Sequence, residues 1–408
     1  MSRGLGIVIV LLNLVVWLYF HRHVATLLLK WAKRLRLLSP LAFALVFHPA
    51  VALAFGGRSA LLMLRRVSPS SILMVAMTLQ FAAWLSLITL LFAALVRLVM
   101  RGVRLMKSHP ARPALRPDRR RLISQAALLI PASAVSVSAA GAWASRQTPV
   151  VSHVRLPVRR ELTNLHGLKL AQVSDVHVGS YMDAARLDEV ARVMNALGAD
   201  LHVITGDLLD NDISQLELAT RFVKSLRPTR ADVFACMGNH EYITARTADV
   251  ASVVKGLRAT GAHVLIDDVQ DVVIGGDRLW MAGIDHPPGR ARPEGRSTQE
   301  SLRQVLAHMK DDGAPRVVLS HHPRTFVEAR ELPIDLMLSG HTHGGQIKLG
   351  RIGDYALTPM LAVDFYHNGL YEHHGRRLYV NAGAGGWLPV RINCPPEITL
   401  VEFVPASV

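Results

Sequence analysis

Long apolar runs open the chain, and a shorter rhythm follows them. Residues 4–20 are almost unbroken apolar, with one Asn13; residues 41–55 form a shorter run interrupted by His48 and Pro49. Residues 71–100 are strongly apolar, and residues 122–142 form a fourth run, rich in Ala and Ser, with Pro131 inside it. Crossing a bilayer takes about 20 apolar residues. The pattern therefore predicts N-terminal transmembrane helices, about four, in a membrane region covering 1–145. From residue 168 on, short β-rich runs alternate with runs of helical period. Strands are expected at 168–173, 201–205, 233–237, 264–266, 280–284, 317–320, 334–338, 378–381 and 398–403. Helices are expected at 184–197, 214–226, 247–259 and 298–309. In the first of these, Leu187, Val190, Ala191, Met194 and Leu197 mark one face at i, i+3, i+4 spacing. Alternating β and α elements imply an α/β layered domain over 146–408.

Charge changes the picture by where it lies. The chain of 408 residues carries a formal +15, which alone would suggest a nucleic-acid partner. Residues 1–150, however, hold 19 Lys or Arg and a single acid, Asp118, leaving 27 basic and 30 acidic residues for the remainder. The basicity belongs to the membrane-flanking part, so no nucleic acid is expected. Loops 21–39 and 97–121, the latter containing a basic linker at 101–121, hold most of the Lys and Arg and should be cytoplasmic. Loop 57–70 is then external. Four spans place the C-terminal domain on the external, periplasmic side of a cytoplasmic membrane. Arg119-Arg120-Arg121-Leu122-Ile123 resembles a twin-arginine export signal, and serves equally as the inside anchor of the last helix. Cys236 and Cys394 read as buried free thiols rather than a disulfide.

Candidate chemistry sits where the expected strands end. The clusters are Asp175-Val176-His177, Gly206-Asp207-Leu208-Leu209-Asp210, Gly238-Asn239-His240-Glu241, Ser320-His321-His322 and Gly340-His341-Thr342-His343. Open α/β folds place their sites at the carboxyl ends of strands. In an extended backbone residues i and i+2 share a face, so His341 and His343 are expected to aim both rings at one place. Carboxylates, imidazoles and one amide oxygen, without thiolate, suit manganese, iron or zinc. Seven such groups are too many for one ion and about right for two. Other histidines, His202 and His367 among them, read as ordinary surface or core residues. The loop 285–296, with His286 and the arginines Arg290, Arg292 and Arg296, reads as a connecting loop, and Trp387 as core packing.

In this order, D-x-H, G-D-x-x-D, G-N-H-E, a strand-end His and G-H-x-H resemble the signature of the calcineurin-like metallophosphoesterase superfamily. The resemblance runs from about 168 to 403. Asn381-Ala382-Gly383-Ala384-Gly385-Gly386 and Pro395-Pro396-Glu397-Ile398 look like its bacterial membrane-associated branch, which includes phosphodiesterase-like and lipid-pyrophosphatase-like proteins. The resemblance implies a layered αββα-type sandwich holding two divalent metal ions. It assigns Asp175, His177 and His343 to one ion, Asn239, His321 and His341 to the other, and Asp207 to both. His240 would meet the leaving-group oxygen, while Asp210 and Glu241 would orient histidines from behind. The implied activity is hydrolysis of phosphate esters, diesters or pyrophosphates by metal-activated hydroxide, on a phosphorylated small-molecule or lipid substrate at the membrane. Two rival roles are a non-catalytic interaction module on the same fold and a transporter working through its helices. The apolar runs carry no acidic residue, unlike most substrate pathways.

Overall fold

Side chains along each central strand alternate between two cores, and that alternation stacks the layers. The computed structural model describes residues 133–408 except 180, 211, 245–249, 286–296, 353–354, 387 and 408, together with isolated positions between 78 and 103. The apolar runs at 4–20 and 41–55, most of 71–100 and nearly all of the linker 101–121 lie outside the described residues, as do His286, Arg290, Arg292, Arg296 and Trp387. No helix among the described residues is long and apolar enough to cross a membrane. The chain divides between Trp143 and Ala144.

In chain order the second unit contains β1 (Val150–Val158), β2 (Lys169–Val173), α1 (Ala184–Ala196), β3 (Leu201–Thr205), α2 (Leu216–Ser225), β4 (Val233–Cys236) and α3 (Asn239–Thr244). Then follow α4 (Val250–Arg258), β5 (His263–Leu265), β6 (Asp268–Ile274), β7 (Asp277–Ile284), α5 (Thr298–Ala307), β8 (Arg316–Ser320), α6 (Phe326–Ala329) and β9 (Leu336–Ser339). The hairpin β10 (Gly350–Ile352) and β11 (Tyr355–Leu357) precedes β12 (Gly369–His373), β13 (Arg376–Val380) and β14 (Glu397–Pro405). Two mixed six-stranded sheets result, in the orders β1-β14-β2-β3-β4-β5 and β12-β13-β9-β8-β7-β6.

The inner faces of both sheets share one core. Leu201 and Val203 of β3 and Phe234 of β4 meet Val317 and Leu319 of β8 and Leu336 and Leu338 of β9. The neighbouring residues point outward. Ile204 and Ala235 pack under α1, α2 and α4, while Val318 and Met337 pack under α5 and α6. A period of two feeding two buried faces gives the helix–sheet–sheet–helix layering. α5 begins where a capping box forms: the Ser297 hydroxyl accepts from the Glu300 amide, and the Glu300 carboxylate accepts from the Ser297 amide. Parallel pairing aligns Val173 with Ile204, Thr205 with Cys236 and Leu319 with Leu338. The polar clusters that follow these strands thus emerge at one end of both sheets.

β1, β6, β12 and the hairpin β10–β11 carry no expected strand. β1 does alternate, burying Val154, Leu156 and Val158. β6, Asp-Val-Gln-Asp-Val-Val-Ile, is an edge strand whose polar residues hide its period. His202 is fully buried in β3, and neither ring nitrogen has a hydrogen-bond partner among the described residues. Burial pushes its pKa down from 6.5 to about 4. The unfolded chain therefore binds a proton here between those values that the folded chain refuses, and stability falls as pH drops below 6.5. His202→Leu is expected to remove about 2 kcal/mol of the stability otherwise lost between pH 7 and 5. Urea unfolding at the two pH values checks this.

Candidate metal centre

Backbone conformation marks the site before any side chain is considered. Asp175 (φ 51°), His177 (51°), Asp207 (50°), His341 (70°) and His343 (52°) all lie in the left-handed region. That conformation costs a side-chain-bearing residue about 1–2 kcal/mol, and such strain collects at functional sites. The loops are braced against one another. The Asp175 amide donates to the Gly206 carbonyl (3.1 Å) and the His177 amide to the Asp207 carbonyl (3.0 Å). Both oxygens of Asp175 accept from the His341 amide at 3.0 Å.

Beside a group formed by His177, Asp210 and His240, the side chains converge in two further triads. In one, Asp175, His177 and His343, the two imidazole Nε2 atoms are 3.2 Å apart and His343 Nε2 is 3.3 Å from Asp175 Oδ1. In the other, Asp207, His321 and His341, His321 Nε2 lies 3.1 Å from Asp207 Oδ2 and 3.2 Å from His341 Nδ1. Asp207 Oδ2 also stands 3.7 Å from His177 Nε2, so one carboxylate borders both triads. Metal bonds of about 2.0–2.1 Å at ordinary angles separate neighbouring ligands by about 3.0–3.4 Å, which matches these spacings. His341 and His343 do not aim at one place. The chain between them is not extended: His343 opens a 3₁₀ turn, and the Thr342 hydroxyl is held by the His367 carbonyl at 2.6 Å. The two rings part, one into each triad.

Residues 168–345 match the calcineurin-like phosphoesterase family. The uncharacterized metallophosphoesterase YkuE of Bacillus subtilis is 31% identical over 239 residues, covering 57% of this chain and 78% of that protein. The chain belongs to the calcineurin-like metallophosphoesterase family. A Bos taurus transmembrane protein with metallophosphoesterase domain is 32% identical over 292 residues, covering 66% of this chain and 62% of that one. The UDP-2,3-diacylglucosamine pyrophosphatase LpxG of Chlamydia trachomatis is 27% identical over 304 residues, covering 64% of this chain and 92% of that one. The chain spans about three fifths of the length of the first curated relatives it matches.

Within this metallophosphoesterase the buried carboxylates and imidazoles shift one another strongly. Asp175 and Asp207 are buried. Burial pushes Asp175 up, whereas His321, His240 and His177 overcome burial and hold Asp207 well below its usual range. Burial opposes charge on His321, yet Asp207 and Asp175 drive it up to about 10. Burial, His177 and Arg391 hold His343 well below its usual range. A proton on His321 thus balances the Asp207 carboxylate, a role that a divalent ion would also fill. Second contacts fix the rings. His321 Nδ1 faces the Thr205 carbonyl at 2.8 Å, directing the Nε2 lone pair into its triad. Asn239 Oδ1 is buried with no hydrogen-bond partner among the described residues, the state of an oxygen suited to a cation. His322, the neighbour of His321, instead lies tilted against the His341 ring with centroids 3.7 Å apart.

Asp210 and Glu241 differ in what they touch. Asp210 Oδ1 lies 3.7 Å from both His177 Nδ1 and His240 Nδ1, and its carbonyl takes a close hydrogen bond from His240 Nδ1. Glu241, expected behind a histidine, spends its oxygens on backbone: it accepts from the amides of Asp207 (3.0 Å), Leu209 (3.0 Å) and Gly238 (2.7 Å). It ties the loop carrying Asp207 to the loop carrying Asn239. Glu241→Ala is expected to cost about 1–3 kcal/mol for each amide left unpaired, with Glu241→Gln intermediate, measured by urea unfolding of the metal-free protein.

Two residues outside the expected set complete the frame. Arg391 is 1% exposed, and its guanidinium donates to the carbonyls of Ala382 (2.8 Å), Gly383 (2.9 Å), Gly385 (2.5 Å) and Cys394 (3.1 Å). Gln346 donates to the carbonyls of Leu388 (2.7 Å) and Val390 (3.0 Å). Neither carried a sequence signal beyond its place near a glycine-rich stretch. Both thiols are free and buried.

Proposed function

We propose that this chain is a membrane-anchored, dinuclear-metal phosphohydrolase acting on phosphate esters, diesters or pyrophosphates. The observation that carries this is the position of Asp207, whose carboxylate borders two separate ligand triads. Asp175, His177 and His343 would hold one ion, and Asn239, His321 and His341 the other, with Asp207 shared. Manganese, iron or zinc suits these donors. Such ions, when bound, supply Lewis acidity toward phosphoryl oxygens and activate water at neutral pH. The chain's own part is to orient and to move a proton. His240 is partly exposed, its Nδ1 held by the Asp210 carbonyl and its ring edge-on to His177. With Nδ1–H pinned, it is the imidazolium form of His240 that would give its Nε2 proton to the departing oxygen and be left neutral.

The membrane anchor is supported by the apolar runs of the first 142 residues and by the Bos taurus relative named a transmembrane protein. A lipid or envelope phosphate as substrate is supported by the name of LpxG. The distribution of Lys and Arg supports an external catalytic unit. The test is metal analysis of the full chain with hydrolysis of an aryl phosphodiester in added manganese. His240→Ala is expected to keep its metal. It should lose about 10²–10⁴-fold on an alkyl ester but far less on a nitrophenyl ester, whose leaving group needs no proton. Equal losses on both would remove His240 from this role, and a wild-type chain without metal or hydrolysis would remove the function.

A further inference from the structure

Exposed apolar side chains in the catalytic unit concentrate in one short segment. Leu349, Ile352, Leu357, Val363, Phe365 and Leu370 are 40–70% exposed. Elsewhere in the second unit only Val150, Val273 and Val327 are comparable large aliphatics among the described residues. The segment is built around the hairpin β10–β11, which pairs with neither main sheet. Soluble surfaces scatter such side chains singly, and a cluster marks a contact with something apolar.

Direct contacts place the entry of the chain beside the root of this hairpin. The Ser145 hydroxyl, three residues after the last apolar run, donates to the Pro389 carbonyl at 3.2 Å. Gln346 holds the carbonyls on either side of Pro389, at Leu388 and Val390. Ile347 bridges Ile392, the Lys348 amide donates to the Ile392 carbonyl (2.9 Å), and the Leu349 amide donates to the Leu357 carbonyl (2.8 Å). His343 of the metal centre lies three residues before Gln346. The hairpin lines a cavity of about 580 Å³ with Arg351 and Ala356, joined by Lys348, Asn368, Leu370 and Asn393. Exposed apolar side chains beside a cleft that carries Lys348 and Arg351 suit the boundary between acyl chains and headgroups.

We propose that residues 349–370 insert their apolar side chains into the bilayer interface and hold the metal centre at the level of the lipid headgroups. The proposal rests on the membrane-anchored part of the function given above, and it narrows the substrate to a phosphate carried on a lipid. The bilayer is favoured over a second copy of the chain because Ser145, three residues after an apolar run in the sequence, contacts Pro389 near the root of this hairpin.

The test uses the full chain in nanodiscs of phosphatidylcholine and phosphatidylglycerol. Single cysteines are introduced by Ile352→Cys, Val363→Cys and, as a remote exposed control on β6, Val273→Cys, and each is labelled with an environment-sensitive fluorophore. The native thiols are buried and stay unlabelled. Spin-labelled lipid is expected to quench positions 352 and 363 several-fold more than position 273. Equal quenching at all three sites, or none at 352 in chains that have entered the discs, overturns this inference alone. Labels at 352 shielded without lipid quenching, in particles of doubled mass, assign the surface to a second copy and overturn it too. A chain that does not enter the discs overturns both this inference and the anchor. Quenching as expected in a chain that hydrolyses nothing supports this inference and removes the catalytic function.

Discussion

Asp207→Asn is expected to strip the protein of metal and of hydrolysis together while leaving it folded. The carboxylate is 3.1 Å from His321 Nε2 and 3.7 Å from His177 Nε2, so its charge serves both triads at once. Asparagine has the same shape, and its oxygen can still accept from the His240 amide, which Asp207 Oδ1 does at 2.9 Å. Its charge, however, is gone. His321, which Asp207 helps drive up to about 10, returns toward an ordinary imidazole. The loss of activity should exceed the roughly 10–100-fold typical of outer partners of metal ligands. Metal content by mass spectrometry, activity on an aryl phosphodiester and circular dichroism together check the prediction. Unchanged metal and activity in a folded variant would remove Asp207 from the centre of the site.

Gly340→Ala is expected to be nearly as damaging without altering any ligand. A Cβ at Gly340 would fall 1.9 Å from Ser174 Oγ and 2.2 Å from Asp175 Oδ2. Neither neighbour has room to retreat. The Ser174 hydroxyl is bound to the Thr205 carbonyl at 3.1 Å, and Asp175 is held through its amide by Gly206 and through its carboxylate by the His341 amide. Overpacking of this kind costs about 1–3 kcal/mol. A displacement near 1 Å in a catalytic array costs about 10²-fold in rate. Gly238 stands in the same relation to Asp207, with a Cβ 2.2 Å from Oδ1. The Gly340→Ala variant should show a larger loss of metal affinity than of metal-free stability, read by titration calorimetry against urea unfolding. The reverse order would mean that the glycine serves packing alone.

These two substitutions show how unevenly the site was legible. The ligand types and their strand-end positions could be taken from the sequence because β3 and β8 are short apolar runs ending in a polar residue. At Gly238 and Gly340 a carboxylate comes so close that no side chain fits, a need that only the packed loops reveal. His341 and His343 looked like a pair sharing a face, and the left-handed backbone between strand and turn sends them to different triads. Glu241 looked like a partner for a histidine, but a carboxylate in the first turn of a short helix can equally reach backbone amides, and it reaches three.

By itself the sequence determined the alternating α/β rhythm of the C-terminal unit, the order of its ligand clusters and the separation of a basic, apolar front from a near-neutral remainder. Local period and residue chemistry suffice for those, since each depends on neighbours along the chain. The tertiary structure decided which side chains share a triad, that Asp207 borders both, that buried Arg391 holds the glycine-rich turn, and that the apolar residues of 349–370 stay exposed. Each of those depends on distances between segments far apart in the chain, some more than 200 residues, such as Arg391 and the Asp175 loop. Such distances are fixed only when two sheets close on a common core.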